Sequence, residues 1–433
     1  MSRLSHLLRG AIGLGAIVGI AACGDADKMV LGPVTPTGGA IFKNYVALGH
    51  SIPAGWQSGG LNDSTQRASY PNLFAIQAGT RFAYPSFPKS FTIPTGLVVQ
   101  SGCPAPTGNW FSQKTVDSLV PTPQGCDLRD PTRATDALNN VAVPYAYAAD
   151  LTTTGPGVVI PGNGLNTLIL GGLSQVNRAL MADPTFISIE IGDNEILSPA
   201  TVGLLGGYAP VGAPALVGAS VEIPLLKKAL DALVAGSPHL MGGIIIGVVR
   251  VTNAARFFPA DTLGLSATRK AQFDAFTGKG ASAVIACGTG VKGWLISSEL
   301  PKAIKNGAHP NVVSCVKNVP AAPVGDIFML DPVEVQTLND TTDAYNVYLK
   351  AKADTLKWAY LDPNVLLAAA KALGAVPAYP TLTSNTRDAA TAPFGALISL
   401  DGVHPSAAGQ KLIANAMIDS VNAKYGTKLL KVP

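Results

Sequence analysis

The stretch Met241-Gly-Gly-Ile-Ile-Ile-Gly-Val-Val249 decides the fold class of this chain. It is a continuous apolar run with β-branched isoleucines at its centre. Such a run is typical of a parallel strand covered on both faces, whereas a strand with one face in water alternates. An amphipathic pattern over Ile223–Ala235 precedes it and predicts a helix with Pro224 in its first turn. The sequence therefore predicts a sheet with helices packed against it.

The same alternation of strand and helix patterns continues along the chain. Thr185–Ile191 (TFISIEI) alternates as a strand does and stops at Gly192. The other predicted strands are Phe42–Leu48 and Asp326–Leu330. The other predicted helices are Ser64–Ala78, Gln175–Met181, Asp331–Lys357, Pro363–Leu373 and Pro405–Lys424. Ser64 is the predicted N-cap of the first of these helices, and Pro405 is predicted in the first turn of the last. Strands that alternate with helices predict an α/β fold with a mostly parallel sheet.

The composition excludes several classes of protein. The chain has 433 residues, a formal net charge of +4, 47% hydrophobic residues and only 13% charged residues, against an ordinary charged share of ~25%. So little charge excludes a disordered polyelectrolyte and offers no dense Lys/Arg stripe for a nucleic-acid backbone. The length allows two or three domains or one large α/β domain.

The N-terminus predicts export. Basic Arg3 and Arg9 precede the apolar run Ala11–Ala22, which is short for a membrane span of ~20 residues but suits a signal peptide at residues 1–22. The run ends in Ile20-Ala-Ala-Cys23 and resembles the lipobox of bacterial lipoproteins, in which the Cys is lipidated. An uncleaved helix and an ordinary signal peptide are the alternatives. Residues 23–40 are rich in Gly, Pro and Thr and predict a tether to a domain at 41–433.

Four further cysteines are candidates for disulfides in an exported protein. Pairing by sequence proximity would join Cys103 to Cys126 and Cys287 to Cys315, although four cysteines allow three connectivities. Insertions at 80–135 and about 252–324 contain these pairs, and we expect them to form a rim or lid over a cleft.

Three short polar stretches lie at the ends of predicted strands or just before a predicted helix. Ser51 follows the first strand in Tyr45-Val-Ala-Leu-Gly-His-Ser-Ile-Pro-Ala-Gly55, and Asn194 follows another strand in Ile191-Gly-Asp-Asn-Glu195. Asp401 and His404 stand in Asp401-Gly-Val-His-Pro405 before the last helix. Strand ends of a parallel sheet share one edge, so these residues can converge there. The Asp-x-x-His spacing lets the carboxylate hold the imidazole.

Together these stretches resemble the blocks of the SGNH/GDSL hydrolases, a family of esterases and lipases, and they occur in the family's order. His50 stands where the family usually has Asp or Asn. Tyr145, in Val143-Pro-Tyr-Ala146, stands where the family usually has Gly. The resemblance implies a three-layer α/β/α sandwich, flavodoxin-like in type, with a mostly parallel sheet and long loop insertions.

The resemblance also implies roles for individual residues. Ser51 is expected to be the nucleophile, His404 its base and Asp401 the group that orients the imidazole. The Ser51 and Tyr145 backbone N–H groups and the Asn194 side chain are expected to form an oxyanion hole. The family uses no metal and no cofactor, and no ligand cluster in the sequence suggests one.

Two functions therefore stand side by side. The first is a lipid-anchored serine esterase or lipase of the bacterial cell envelope, with the outer membrane as one location, which acts on a lipid, an acetylated sugar or a polyester. The second is a non-catalytic envelope lipoprotein that uses the same fold as a binding module, which the residues His50 and Tyr145 would favour. Asp193 and Glu195 are interpreted as loop-ordering groups, and His50 as structural.

Overall fold

The computed structural model describes residues 38–58, 60–85, 111–112, 137–153, 165–206, 215–260, 267–278, 293–307, 327–382 and 393–433. The strands are β1 Tyr45–Gly49, β2 Gly60–Leu61, β3 Phe111–Ser112, β4 Phe186–Glu190, β5 Gly242–Ile246, β6 Phe257–Pro259, β7 Leu295–Ser297, β8 Met329–Leu330 and β9 Ala359–Leu361. The helices are α1 Ser51–Ala54, α2 Asp63–Arg67, α3 Tyr70–Ala78, α4 Leu165–Leu170, α5 Gln175–Met181, α6 Asp193–Val202, α7 Ala219–Gly236, α8 Ala267–Thr277, α9 Glu299–Lys305, α10 Pro332–Leu356, α11 Pro363–Ala372 and α12 Ala407–Tyr425.

The main sheet is parallel. Its strands lie in the order β1-β4-β5-β9, with Leu48 opposite Ile189 and Ile189 opposite Ile245. An extended segment, residues 139–143, runs along the outer edge of β1 and donates the N–H of Val143 to the carbonyl of Gly49 at 3.0 Å. The predicted α/β class with a mostly parallel sheet is confirmed.

The order of these strands creates a switch point beside β1. Counting segment 139–143 as the second strand along the chain, the spatial order is 2-1-3-4-5. The chain leaves β1 to one side for segment 139–143 and later returns to the other side for β4. Connections on opposite sides of the sheet open a crevice at the carboxyl end of the first strand, which is where ligands bind in such sheets. Ser51 lies at this position.

The two faces of the sheet pack against different helices. Ile187, Ile189 and Ile245 point into a core shared with α5, α7 and α10. Phe186, Ile244 and their neighbours point into a second core shared with α3 and α12. Burial of each such side chain stabilises the folded state by roughly 1.5–3 kcal/mol. Because both faces of the sheet are covered, the run Met241–Val249 is apolar without alternation. The molecule is therefore a three-layer α/β/α sandwich.

A smaller antiparallel sheet joins two strands of the region expected to be an insertion to a third strand that follows this region. Strands β6, β7 and β8 form it in that order, and Phe258, Phe273 and Ile296 pack together under it. The strand predicted at Asp326–Leu330 belongs here, as β8, rather than to the main sheet. This part of the 252–324 insertion is thus a folded unit with its own apolar core.

The described residues 60–85 and 219–236 correct two predicted helices. The helix predicted over Ser64–Ala78 is two helices, because Pro71 sits in the first turn of α3 and the chain turns at Ser69. The cap of α2 is Asn62, whose Oδ1 accepts the Thr65 N–H at 2.9 Å, so the N-cap prediction for Ser64 is wrong. Helix α7 begins at Ala219, which places Pro224 in its second turn rather than its first.

The last helix also begins later than predicted. Its N-cap is Ser406, whose Oγ accepts the Gly409 N–H at 3.2 Å. Pro405 therefore lies before the cap and forms a β-bridge with Ile398, and its predicted place in the first helical turn is wrong. The strand β9 was not predicted, because three residues are too few to show a periodic pattern.

Several predictions fall outside the described residues. These are the signal peptide 1–22, all but the end of the tether 23–40, Cys23, Cys103, Cys126, Cys287, Cys315 and most of the insertion 80–135. In the part of the chain that is described, no helix combines the length and hydropathy of a bilayer span.

Candidate active site

The turn after β1 brings Ser51 to the carboxyl edge of the sheet. Gly49 ends the strand with φ at +143°, and a Cβ there would lie 2.0 Å from the carbonyl oxygen of Glu190. Only glycine permits this approach of β1 and β4. Ser51 is the first residue of α1, and the Nδ1 of His50 caps that helix by accepting the Ile52 N–H at 3.2 Å. A buried serine is thus held at the start of a short helix.

The Asp-x-x-His spacing forms a closed local turn. One carboxylate oxygen of Asp401, Oδ1, accepts the backbone N–H groups of Val403 and His404 at 2.9 Å each. The other oxygen, Oδ2, lies 2.8 Å from Nδ1 of the His404 imidazole. A carboxylate in this position makes Nδ1 the protonated nitrogen and leaves Nε2 as an acceptor.

The structure brings this turn to the serine. Nε2 of His404 lies 2.7 Å from Oγ of Ser51, so the hydroxyl donates to the imidazole and the imidazole donates to Asp401. The imidazole also lies beside the indole of Trp56, with ring centroids 6.2 Å apart. Hydroxyl, imidazole and carboxylate therefore form one continuous chain of hydrogen bonds.

Asp401 is poised to remain ionised. Burial by itself raises the pKa of this carboxyl, but the charge of protonated His404 and the hydrogen bonds from His404 and Val403 outweigh burial and hold the pKa well below its usual value. An ionised carboxylate beside Nδ1 stabilises the positive charge that the imidazole acquires when it takes a proton.

The side chain of Asn194 contacts the segment that carries Tyr145. Asn194 is the second residue of α6, and its Nδ2 donates to the carbonyl of Ala146 at 2.8 Å. The segment that carries Tyr145 is fixed next to β1 by the Val143 N–H to Gly49 carbonyl bond. The side-chain amide and the 143–146 turn thus meet next to the turn that carries Ser51. An amide carries two N–H donors, so one remains beside the bond to Ala146.

Tyr145 has the backbone conformation that glycine favours. Its φ is +61°, in the left-handed region, where a non-glycine residue costs roughly 1 kcal/mol. Its ring packs edge-on against Trp56 at a centroid distance of 5.5 Å. Tyr145 therefore combines a left-handed backbone with an aromatic contact to Trp56, whose indole lies beside His404.

Beneath the serine lies a cluster of buried ionisable groups. Nε2 of His50 is 2.8 Å from Oδ2 of Asp193, and Oδ1 of Asp193 accepts the Val249 N–H at 2.8 Å. Oε1 of Glu195 accepts the Ala148 N–H at 2.6 Å. Both acidic residues stand in the first turn of α6, and from there each orders the backbone of another segment, in agreement with their interpretation as loop-ordering groups.

The environment of this cluster shifts its pKa values. Burial raises the pKa of Glu190 to about 7 and that of Glu195 to about 7. Burial and repulsion from Glu195 raise the pKa of Glu222 well above its usual value. For His50, burial lowers the pKa, but the hydrogen bond and charge of Asp193 outweigh burial and raise it.

The cluster also offers a candidate set of metal ligands. Among the described residues, His50, Glu190 and Asp193 each place one donor atom within 4.8 Å of the others. The imidazole of His50, however, accepts the Ile52 N–H at Nδ1 and therefore carries its proton at Nε2, where it faces Asp193. A ring nitrogen that carries a proton cannot ligate a metal. The arrangement fits a hydrogen-bonded pair better than a cation site.

Sequence reasoning missed residues that hold the site from outside. The side-chain amide of Gln175 pairs with Gly49, accepting its N–H and donating to its carbonyl at 2.9 Å each. Arg256 donates to the carbonyl of Asp401 at 3.2 Å and pairs with Glu299 at 3.2 Å. Neither Gln175 nor Arg256 belongs to a local motif. The signal that the sequence offers for them is a polar residue within a mostly apolar segment.

An apolar cavity of about 100 Å³ adjoins the site. Ile52, next to the serine, and Val403 and Pro405, on either side of the histidine, form part of its wall. Leu366 of α11 and Leu412 of α12 line it from the opposite side. The carboxyl-bearing residues Glu190 and Asp193 also contribute to the lining. The cavity therefore offers mostly apolar surface one residue away from both ends of the Ser51–His404 hydrogen bond.

Comparisons with known proteins found similar solved structures. No family model and no curated protein matches this chain. The similar solved structures include SGNH/GDSL-type esterases and lipases. An extracellular lipase from Streptomyces rimosus is 15% identical, over 88% of this chain and 99% of that chain, with a TM-score of 0.36.

Two further structures give similar values. A catalytic mutant of an acetylxylan esterase from Geobacillus stearothermophilus is 11% identical, over 88% of this chain and 94% of that chain, with a TM-score of 0.36. A protein from Parabacteroides merdae described as a GDSL-like lipase is 12% identical, over 88% of this chain and 96% of that chain, with a TM-score of 0.35. At TM-scores below 0.5, the functional conclusion rests on the geometry of the site itself.

Proposed function

We propose that this chain is a serine hydrolase of the SGNH/GDSL type that cleaves carboxylic esters. The observation that carries the proposal is the hydrogen-bond chain from Ser51 Oγ through His404 to Asp401, with contacts of 2.7 and 2.8 Å. A lone serine or a lone Asp-x-x-His turn is common, but their union at a switch-point crevice is the arrangement that nucleophilic catalysis requires.

In the proposed reaction, Ser51 Oγ attacks the ester carbonyl while its proton passes to Nε2 of His404. The tetrahedral intermediate collapses, the C–O bond to the alcohol breaks, and His404 returns the proton to the leaving alcohol. A water then gives one proton to His404 while its oxygen bonds to the acyl carbon. The bond between the acyl carbon and Ser51 Oγ breaks, His404 returns the proton to Oγ, and the acid leaves. Asp401 holds the imidazole and stabilises its charged form throughout.

The oxyanion is proposed to be held by the backbone N–H groups of Ser51 and Tyr145 and by the amide of Asn194. Two observations support this assignment. The amide of Asn194 contacts Ala146, the neighbour of Tyr145, and the left-handed φ of Tyr145 is the conformation that a glycine at this position would also adopt. Each donor of this kind is worth on the order of 10²–10³ in rate.

The acyl group of the ester is proposed to occupy the apolar cavity beside Ile52 and Val403. A volume of about 100 Å³ takes an apolar group of roughly four carbons. Leu366→Trp should fill the cavity, and we expect it to lower turnover of p-nitrophenyl butyrate more than that of p-nitrophenyl acetate. The control is Val365→Trp on the same helix, where the side chain is 65% exposed. Equal effects of both variants on the butyrate-to-acetate ratio would contradict the assignment.

The mechanism is tested with a fluorophosphonate probe, which labels activated serines. The purified mature protein should be labelled, and Ser51→Ala should not. Circular dichroism spectra must agree between the two proteins, so that the loss reflects the hydroxyl alone. A folded wild type that stays unlabelled and fails to turn over p-nitrophenyl acetate would reject hydrolysis and favour a non-catalytic binding module.

We further propose that the mature protein is anchored to a bacterial membrane through a lipid on Cys23. The support is the basic start, the apolar run and the Ile20-Ala-Ala-Cys23 ending, because acyl chains on a cysteine anchor a protein without a spanning helix. Globomycin, which blocks the lipoprotein signal peptidase, should cause the precursor to accumulate. Cys23→Ala should abolish incorporation of labelled fatty acid, and incorporation that survives this change would contradict the anchor.

A further inference from the structure

His50 and Asp193 connect the two helices that carry the proposed nucleophile and the proposed oxyanion donor. His50 is 1% exposed and lies directly before Ser51, the first residue of α1. Asp193 lies directly before Asn194 in the first turn of α6. The 2.8 Å contact between His50 Nε2 and Asp193 Oδ2 therefore links the residue before Ser51 to the residue before Asn194.

The remaining bonds of the pair fix it to the sheet edge. Nδ1 of His50 accepts the Ile52 N–H, and Oδ1 of Asp193 accepts the Val249 N–H that follows β5. Each side chain thus uses one polar atom to bind a backbone N–H and its other polar atom to bind the partner side chain. These bonds tie the ends of β1, β4 and β5 together, and Asp193 also contributes to the lining of the apolar cavity.

We propose that His50 and Asp193 are a positioning pair that sets the distance between Ser51 and Asn194. The proposal rests on the proposed function, because it assigns to the pair the geometry of the nucleophile relative to the oxyanion hole. Neither residue is a catalytic residue in this assignment. His50 cannot serve as the base for Ser51, since both of its ring nitrogens are already engaged in hydrogen bonds.

The physical reason for such a pair is the sensitivity of catalysis to geometry. A shift of about 1 Å between reacting groups can lower the rate about 10²-fold. Helix α1 has only four residues, too few to hold its own position by helical hydrogen bonds. A buried hydrogen-bonded pair at its first turn therefore has a larger effect on where Ser51 lies than the same pair would have on a long helix.

Two substitutions break the pair while they preserve its backbone contacts. His50→Asn keeps a side-chain oxygen that can cap the Ile52 N–H but is too short to reach Asp193. Asp193→Asn keeps an oxygen for the Val249 N–H and places an amide donor against the His50 N–H. We expect each single variant to lower kcat for p-nitrophenyl butyrate about 10- to 100-fold with KM within about twofold. The double variant should be no worse than the worse single variant, because the same interaction is lost.

A matched surface pair provides the control. Nδ1 of His239 lies 2.8 Å from Oδ1 of Asp183, with the two side chains 67% and 58% exposed. His239→Gln removes this His–Asp contact away from the site and should leave kcat unchanged. Thermal unfolding of all variants, followed by circular dichroism, separates a change in geometry from a loss of folded protein.

The outcomes separate this proposal from the proposed function. If the wild type is labelled by the fluorophosphonate and the folded single variants react as fast as it does, hydrolysis stands and the positioning pair is rejected. Losses that multiply in the double variant, or a rise in KM at constant kcat, would also reject the pair. A folded wild type that is never labelled would overturn both proposals. Slower labelling and lower kcat in both single variants, without a further loss in the double variant, would support the pair.

Discussion

Nε2 of His404 lies 2.7 Å from Oγ of Ser51, although 353 positions of sequence separate the two residues. The sheet creates this contact by placing the end of β1 opposite the loop that precedes α12. Each partner is held independently, Ser51 by the cap of a short helix and His404 by the carboxylate of Asp401. The contact therefore does not depend on one flexible side chain finding another.

Asp401→Asn should lower kcat for p-nitrophenyl butyrate on the order of 10³–10⁴-fold, because the amide no longer stabilises a charged imidazole. An asparagine keeps an oxygen for the backbone N–H groups of Val403 and His404, so the turn should persist. Steady-state kinetics measure the loss, and a far-UV spectrum confirms that the variant folds. A fall of less than about tenfold would show that His404 does not rely on this carboxylate.

Asn194→Ala should lower kcat about 10²–10³-fold with little change in KM, since a donor to the oxyanion acts only in the transition state. The variant also loses the bond from the side chain to the carbonyl of Ala146. Asn194→Ser is the comparison, because a shorter side chain retains a donor. If KM rises while kcat is preserved, Asn194 binds the substrate in its ground state and is no part of an oxyanion hole.

Tyr145→Gly should retain kcat within about tenfold, because the proposed donor is a backbone N–H and φ of +61° suits glycine. The variant relieves a conformational cost of about 1 kcal/mol but gives up the contact with Trp56. Tyr145→Ala, which loses the ring without gaining conformational freedom, is the matched comparison and should be less stable toward urea. A collapse of kcat in Tyr145→Phe would instead assign the role to the phenol hydroxyl.

The free energy of unfolding should fall as the pH rises from about 5 to 8. Burial raises the pKa of Glu195 from 4.5 to about 7 in the folded protein. The folded state therefore binds a proton that the unfolded state releases above its own pKa, so this stability is complete below about pH 4.5 and lost as the pH rises through 7.

Glu195→Gln tests this dependence, because the amide still accepts the Ala148 N–H but does not ionise. Urea unfolding at pH 5, 6, 7 and 8 should give a flatter profile for this variant than for the wild type. Asp340→Asn, at an exposed carboxylate on α10, serves as the control for a surface charge. Parallel profiles for the wild type and Glu195→Gln would contradict a raised pKa at this position.

The boundaries of α10 could be predicted from local capping chemistry. Asp331 caps α10 and Glu334 bonds back to the Asp331 N–H, a box that is legible in the sequence, and the predicted helix was confirmed within a residue or two. By contrast, the start of α7 was missed, because Gly218 offers no capping side chain. A local cap alone did not suffice, however, since the Asn62–Thr65 box of α2 and the Ser406 cap of α12 were missed.

Parts of the site could not be predicted for the opposite reason. His50 and Asp193 are separated by 143 positions, and nothing in either motif indicates that one contacts the other. Likewise, the engagement of Gln175 with Gly49 and of Arg256 with Asp401 depends on where distant elements pack. Sequence patterns describe one face of one element and carry no information about which element it faces.

The sequence by itself determined the layers and the local chemistry: apolar runs with turn residues between them specify strands and helices, and a carboxylate three positions before an imidazole closes its own turn. Only the tertiary structure decided which strand ends became neighbours, that Ser51 meets His404, and that Tyr145 adopts a left-handed backbone. Periodicity and short-range hydrogen bonds act within a few residues, whereas strand order and register depend on the packing of the whole sheet.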